Sequence, residues 1–335
     1  MIHPVDAAEW LPDGPPDPGV EDLRILVLAG GLSYEREVSL RSGRRALDAL
    51  RAAGFDATMA DVDTSLPTRL ATDPPSAVLI ALHGAAGEDG SIRAVLDLFG
   101  VPYLGPTAAA ARVAWDKPTT KALLRQHGLP TPDWVALPHD RFSELGAAAV
   151  MDRIVGRLGL PLMVKPAQGG SGLGVSAVRD AGALPAAMVD CFAYGGTALI
   201  EQFVPGIDIA VSVIDLGGGP RALPVVEIVP HDGHYDYAAR YTPGRTTWHA
   251  PARLSADLAE RVAVVAVAAH GAVSLRDLSR VDLIVTPSGA VQVLDVNVSP
   301  GMTETSLLPL AVQAAGLDLG ATLGSMVARV ATRSS

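Results

Sequence analysis

The run Gly169-Gly-Ser-Gly-Leu-Gly174 sets four glycines in six residues. Such a loop lets backbone N–H groups approach phosphate oxygens without side-chain obstruction. No Lys-Ser/Thr pair follows it, so it is not a P-loop. It lies between two strand-like runs and does not open a helix, so the dinucleotide fingerprint fails as well. A glycine-rich hairpin with no ligand would look the same. Lys165 ends the apolar run just before this loop, and Lys117 opens a helical segment. Either ammonium could meet a triphosphate or lie solvated on the surface. Of the 26 Lys and Arg residues only Lys117, Lys121 and Lys165 are lysines, which weakens the surface alternative. Lys121 lies one helical turn beyond Lys117 and carries no assigned chemistry; its replacement by Arg is expected to be nearly silent.

Arg280-Val-Asp282 and Asp295-Val-Asn297 alternate polar and apolar residues. If the two runs pair as strands, Asp282, Asp295 and Asn297 come together as oxygen ligands of the kind that suits Mg²⁺. A merely polar sheet face fits less well beside Val281, Leu283, Leu294 and Val296. Ser299-Pro-Gly-Met-Thr303 leads into a helix with Thr303 as the expected N-cap. First-turn N–H groups and the Ser306 hydroxyl would then suit a carboxylate, or simply cap the helix. Glu35 and His83 follow strands of the first region, where parallel sheets bind ligands; a capping Glu and a loop His are the plain alternatives.

Certain elements must position these groups. Residues 1–21 read as a flexible, proline-rich leader. Leu23–Ala29, Ala57–Val62 and Ala77–Leu82 read as strands, with helices over Ser39–Ala53 and Ile92–Phe99. That alternation predicts a helix-covered parallel sheet. A second region holds a helix over Lys117–His127, strands at Leu160–Lys165, Val175–Val178 and Ala198–Val204, and a helix over Leu184–Phe192. From Gly206 come strands at Ile209–Ile214 and Leu223–Ile228, a polar loop over 231–252 and a helix over Ala256–Val273. Strands Arg280–Val285 and Ala290–Val296 follow, then a helical tail from Thr303. The expected divisions are 1–21, 22–114, 115–205 and 206–335.

Composition excludes other classes. The chain has 335 residues, 49% hydrophobic and 19% charged, which is a core-forming composition and too long for one comfortable core. A net charge of -10 argues against nucleic-acid binding. One cysteine, Cys191, excludes a disulfide framework. The N-terminus lacks the pattern of a signal peptide, and the apolar run Val262–Ala269 is too short to span a bilayer. No membrane association and a cytoplasmic location are expected.

Taken in order, these signals are specific. The chain resembles the D-alanine–D-alanine ligases of the ATP-grasp superfamily over nearly everything after residue 22. The resemblance rests on Gly30-Gly-Leu-Ser-Tyr-Glu-Arg-Glu-Val-Ser-Leu40, His83-Gly-Ala-Ala-Gly-Glu-Asp-Gly90, Trp115-Asp-Lys117, Val164-Lys-Pro166, Gly170-Ser171, Tyr235 to Tyr241, Arg280-Val-Asp282 and Asn297-Val-Ser-Pro-Gly-Met-Thr303. It implies an ATP-grasp fold, α/β and α+β, preceded by a Rossmann-like parallel-sheet domain. It also implies ATP-dependent joining of two D-alanines through an acyl phosphate, for peptidoglycan precursors, by a cytoplasmic homodimer. Lys117 and Lys165 would contact ATP phosphates, Glu201 and its neighbours adenine and Asp208 ribose, with Gly170 and Arg240 also binding ATP. Asp282, Asp295 and Asn297 would hold Mg²⁺ or Mn²⁺. Arg280 and the Gly301 N–H would stabilise the oxyanion. Glu35 and His83 would bind the first D-alanine, and Ser306 and the Leu307 N–H the second carboxylate. Ser171, Tyr241 and Glu35 would form the link that closes a loop. Tyr241 stands where ester-forming relatives carry His, which favours an amine nucleophile. Asp295, Asp208, Arg240 and Gly172 depart from the family's Glu, Glu, Lys and Ser. These departures keep two alternatives: a ligase for other D-amino acids, or an ATP-binding homologue impaired in catalysis.

Overall fold

The computed structural model describes residues 23–231, 233 and 235–333. The leader expected over 1–21 lies outside the described residues. The first lobe runs β1 (Arg24–Leu28), α1 (Arg36–Ala52), β2 (Asp56–Ala60), α2 (Leu66–Thr72), β3 (Ala77–Ile80), α3 (Ala85–Glu88) and α4 (Ser91–Leu98). Its three strands pair in parallel in the order β2-β1-β3. β1 and β3 are apolar and buried because helices cover them, the pattern of a parallel sheet. The segments after these adjacent strands carry Glu35 and His83, as expected from the sequence.

The central part begins with α5 (Ala108–Trp115) and α6 (Lys117–Gln126). Asp116 stops the first and caps the second, accepting the Thr119 N–H at 3.0 Å. Next come β4 (Trp134–Pro138), α7 (His139–Leu145), α8 (Ala147–Leu158), β5 (Leu162–Pro166), β6 (Ser176–Val178), α9 (Leu184–Phe192) and β7 (Thr197–Gln202). The sheet is antiparallel, ordered β4-β7-β5-β6, over a core of its own that includes Phe142, Ile154, Val164 and Ile200. Helices α5 and α6 instead pack into the next sheet's core, Ala111 and Leu124 lying with Val211 and Val293.

The last part holds β8 (Ile207–Ile214), β9 (Arg221–Ala222), β10 (Val226–Pro230), α10 (Tyr237–Tyr241), β11 (Thr246–His249), α11 (Ala256–Ala272), β12 (Leu278–Val285), β13 (Val291–Asn297), α12 (Leu307–Ala314) and α13 (Leu319–Ala331). Its antiparallel sheet runs β11-β10-β8-β12-β13, with β9 beside β8. α12 and α13 close back on the first lobe, where Leu307, Val312 and Val327 share a core with Ile25, Val27 and Leu79. At Gly320 an added Cβ would lie 2.0 Å from the Ala49 carbonyl of α1, so only glycine permits this approach.

Two expectations are corrected. The stretch 231–252 is not all loop: α10 and β11 lie within it. Asp236 caps α10 through the Ala239 N–H at 2.8 Å, and pairing with β10 makes a strand of Thr246–His249. Thr303 is not an N-cap, because Ser306 occupies that position. The chain before it is held as a loop, the Ser299 hydroxyl donating to the Leu82 carbonyl at 2.7 Å and the Met302 N–H to the Ser42 Oγ at 3.2 Å. Among the described residues no single helix is long and apolar enough to cross a membrane.

Candidate active site

A cavity of about 520 Å³ lies between the central sheet and the β8-β12-β13 sheet. Its lining includes Lys117, Lys165, Gly170, Ser171, Glu201, Asp208, Arg240, Arg280, Asp282, Asp295 and Asn297. One space thus gathers every residue expected on the nucleotide and metal side.

Lys117 opens α6 and is fixed twice, its N–H donating to the Ala167 carbonyl at 3.0 Å and its Nζ to the Gly169 carbonyl at 2.7 Å. The same Nζ is 3.1 Å from Asp295 Oδ2. Lys165 on β5 meets Glu201 Oε1 of the neighbouring β7 at 2.5 Å. Burial works against the charge of Glu201, but Lys165 and Lys121 overcome it and hold the carboxyl below its ordinary range. The glycine-rich loop joins β5 to β6, and Gly172 has φ +77°, a left-handed conformation that suits glycine. Arg240 lies 4.4 Å from the centre of the Tyr235 ring and donates to the Tyr235 carbonyl at 3.2 Å.

The oxygen donors arise from strand register. In the β12–β13 pair Asp282 faces Asp295 and Arg280 faces Asn297. Arg280 clasps Asp282 with two bonds, at 2.6 and 2.9 Å. Burial opposes the Arg280 charge, yet Asp282 holds it above its ordinary range. Asp295 is likewise opposed by burial but kept low by Lys117 and Lys165. Asn297 Oδ1 accepts the Ser299 N–H at 2.9 Å, so its oxygen end is set by the backbone. Two carboxylates and one amide oxygen on adjacent strands, beside two ammoniums, fit a hard divalent cation bound together with phosphate.

At the other end Ser171, Tyr241 and Glu35 meet. The Ser171 hydroxyl donates to Glu35 Oε1 and lies 2.7 Å from the Tyr241 hydroxyl. The contact joins three distant parts of the chain through a serine at φ +56°. Burial raises Glu35, with the Ser171 bond, Arg240 and Lys117 opposing it. Burial also pushes Tyr241 up to about 12. His83 is brought down to about 4, chiefly by burial, so its ring is neutral near pH 7. Its Nε2 is 2.9 Å from Ser42 Oγ. A Cβ at Gly301 would lie 2.7 Å from Ser306 Oγ and 3.9 Å from His83 Nε2, so His83, Gly301 and Ser306 converge. Ser306 turns its hydroxyl back toward Thr303, whose N–H donates to it at 2.9 Å, and buried Leu307 opens α12 beside it.

Three residues escaped the sequence reading. Glu88 is buried and accepts from the Gly84 N–H at 2.9 Å and from Asn297 Nδ2 at 3.3 Å. Burial, helped by Glu35, raises it to about 8. It lies in the quoted His83–Gly90 block, which was the available signal. Ser42 had none beyond its place on the helix. Lys121, to which the sequence reading assigned no chemistry, is 1% exposed and forms a 2.9 Å ion pair with Glu201 Oε2. Helical spacing one turn beyond Lys117 points it inward, toward β7, where a buried carboxylate awaits it.

Known proteins agree with this arrangement. Residues 123–328 match the family model described as D-ala D-ala ligase C-terminus. A D-alanine–D-alanine ligase of Gloeobacter violaceus is 44% identical over 298 residues, covering 88% of this chain and 95% of that protein. The crystal structure of the Bacillus anthracis D-alanine–D-alanine ligase matches with TM-score 0.77 at 32% identity, over 92% of this chain and 98% of that one. The same enzyme complexed with ATP matches with TM-score 0.75 at 29% identity, over 92% and 97%. The fold is the ATP-grasp fold of these neighbours, and the chain belongs to the D-alanine–D-alanine ligase family.

Proposed function

We propose that this chain joins two D-alanines at the expense of ATP. The observation that carries the proposal is the cavity lined by phosphate-type groups, Lys117, Lys165 and the glycine-rich loop, together with Arg280, beside which Ser171 meets Glu35 and His83, Gly301 and Ser306 converge. The family relatives are named for this reaction, and one neighbour was solved with ATP.

In the proposed reaction a carboxylate oxygen of the first D-alanine attacks the γ-phosphorus of ATP. The bond to the bridging oxygen breaks, ADP leaves, and an acyl phosphate remains. The neutral amine of the second D-alanine attacks the acyl carbon, and the tetrahedral intermediate expels phosphate, which leaves as hydrogen phosphate with the proton given up by the amine. Lys117 and Lys165 offset charge on the phosphates, with Gly170 and Arg240 beside them. Glu201 and Asp208 face the adenine and ribose. Glu35 takes the first ammonium, with neutral His83 near its carboxylate. Ser306 and the Leu307 N–H take the second carboxylate. Arg280, kept charged by Asp282, and the Gly301 N–H face the developing oxyanion. Ser171 ties Glu35 to Tyr241, so the loop closes over the reactants and water is excluded. Mg²⁺ or Mn²⁺, held by Asp282, Asp295 and Asn297, would neutralise phosphate charge. The same proposal takes 22–114, 115–205 and 206–335 as the working divisions and a homodimer as the assembled form.

The test is ATP-dependent phosphate release with a panel of D-amino acids. Release with D-alanine alone supports the proposal. Release only with another pair points to a ligase of different specificity. ATP binding without turnover points to a catalytically impaired homologue.

A further inference from the structure

Neither phosphate-side lysine stands free. Lys165 Nζ lies 2.5 Å from Glu201 Oε1, and Lys117 Nζ lies 3.1 Å from Asp295 Oδ2. A phosphate that takes either ammonium takes it from a carboxylate, half-buried at Asp295 and buried at Glu201. A buried carboxylate stripped of its partner is costly, because water cannot replace the lost charge. Asp295 has a replacement at hand in the metal ion proposed above. Glu201 touches the cavity but is offered no cation from it, and its side chain is 3% exposed.

The groups on its far side are built for this. Lys121 Nζ lies 2.9 Å from Glu201 Oε2 and donates to the Thr131 hydroxyl at 2.6 Å. It also sits 5.3 Å from the centre of the Trp134 ring, and Arg125 lies 4.2 Å from the same ring. Lys121 does not line the cavity, so a ligand there meets Lys165 but not Lys121. The carboxylate is therefore held between one ammonium that faces the ligand and one that does not.

We propose that Lys121 is a positioning residue, the fixed counter-ion of Glu201 that lets Lys165 leave this carboxylate for a nucleotide phosphate. The proposal rests on the assignment of Lys165 to an ATP phosphate. It requires that loss of the Lys121 charge weaken binding of phosphates more than binding of base and sugar. Without Lys121, Glu201 keeps Lys165 for itself.

The experiment is equilibrium titration of the full chain with ATP and, separately, with adenosine. In Lys121→Met the ATP affinity is expected to fall at least about tenfold relative to adenosine, as expected when a buried carboxylate would otherwise be left unpaired. Lys121→Arg keeps the charge and should keep most of the preference for ATP. Equal losses for the two ligands, or no loss for either, would overturn the proposal, since a residue that only stabilises the lobe moves both together. Should Lys121→Met not fold, Lys121→Gln, which also lacks the charge, is read the same way. Lys165→Met separates the two layers. An unchanged ATP-to-adenosine ratio there overturns the phosphate assignment itself, whereas a fall there with none in the Lys121 variants overturns only the role of Lys121.

Discussion

Ser171 is the residue on which closure of the site can be measured most directly. Its hydroxyl serves Glu35 and Tyr241 together, while its backbone sits at φ +56°, where a Cβ is strained. Ser171→Ala removes both contacts and keeps the strain. A hydrogen bond to a charged carboxylate contributes about 2 kcal/mol, and the buried Tyr241 hydroxyl left unpaired costs about 1 kcal/mol. Together these give about 3 kcal/mol, or roughly a hundredfold loss in kcat/KM if both bonds persist in the transition state. Ser171→Gly loses the same bonds but is free of the left-handed penalty, about 1 kcal/mol, so it should outperform Ser171→Ala by about fivefold. The bond from Ser171 also draws Glu35 downward against burial. Its removal raises Glu35 further, so the acid limb of the pH profile should move to higher pH in both variants. Steady-state phosphate release across pH tests this. A loss below about threefold in Ser171→Ala, or equal activity of the Ala and Gly variants, would refute the reasoning.

Three further outcomes are expected. Asp295 is one methylene shorter than the Glu that the family resemblance leads one to expect there, so Asp295→Glu should tighten the apparent Mg²⁺ constant in titrations of activity; an unchanged constant counts against its place as a ligand. His83 titrates near 4 in the fold against 6.5 when exposed, so its stabilising effect is complete above pH 6.5 and is lost as pH falls toward 4. By linkage that loss amounts to about 3 kcal/mol. His83→Gln should therefore flatten the fall of Tm between pH 7 and 5, and parallel curves for the two proteins would contradict the burial effect. Gly320→Ala should destabilise by roughly 1–3 kcal/mol through overpacking of α13 on α1. Gly156→Ala on α8 should cost less, because nothing lies within 4 Å of its added Cβ and its backbone is helical; a ranking in the opposite order from chemical denaturation would falsify that packing account.

Much of the site could be read because its groups sit on elements with strong local signals. Val281, Leu283, Val293 and Val296 alternate with the polar ligands, and β12 pairs with β13 in the register that sets Asp282 against Asp295. The loops bearing Glu35 and His83 follow apolar strands that had one plausible ending. Residues 129–159 gave no assignment and yet hold β4, α7 and α8. β4 is a five-residue edge strand ending in Pro138, and Gly146 separates two helices whose outer faces are largely exposed. α10 is five residues long and depends on its Asp236 cap and on packing in the closed loop, where the Thr305 hydroxyl donates to the Arg240 carbonyl at 3.0 Å. Lys121 was invisible for another reason. Its partner Glu201 is 80 residues away, and only the pairing of β7 with β4 and β5 brings that carboxylate over α6.

The shared core beneath α12 and α13 bears on how the molecule comes apart. Ile25 and Leu79 of the first lobe pack in one cluster with Leu307 and Val327, while Phe142, Ile154 and Ile200 belong to a separate cluster. The two ends of the chain are thus one cooperative unit despite their distance in sequence, and the central lobe is a second unit inserted between them. Free energy for local opening is set unit by unit in such a molecule. The walls contributed by His83, Gly301 and Ser306 all belong to the larger unit and lose their geometry only when it melts. The glycine-rich loop and Lys165 belong to the smaller one, so its opening removes these phosphate groups, while Lys117 stays on α6 in the β8–β12–β13 core and the amino-acid side is left standing.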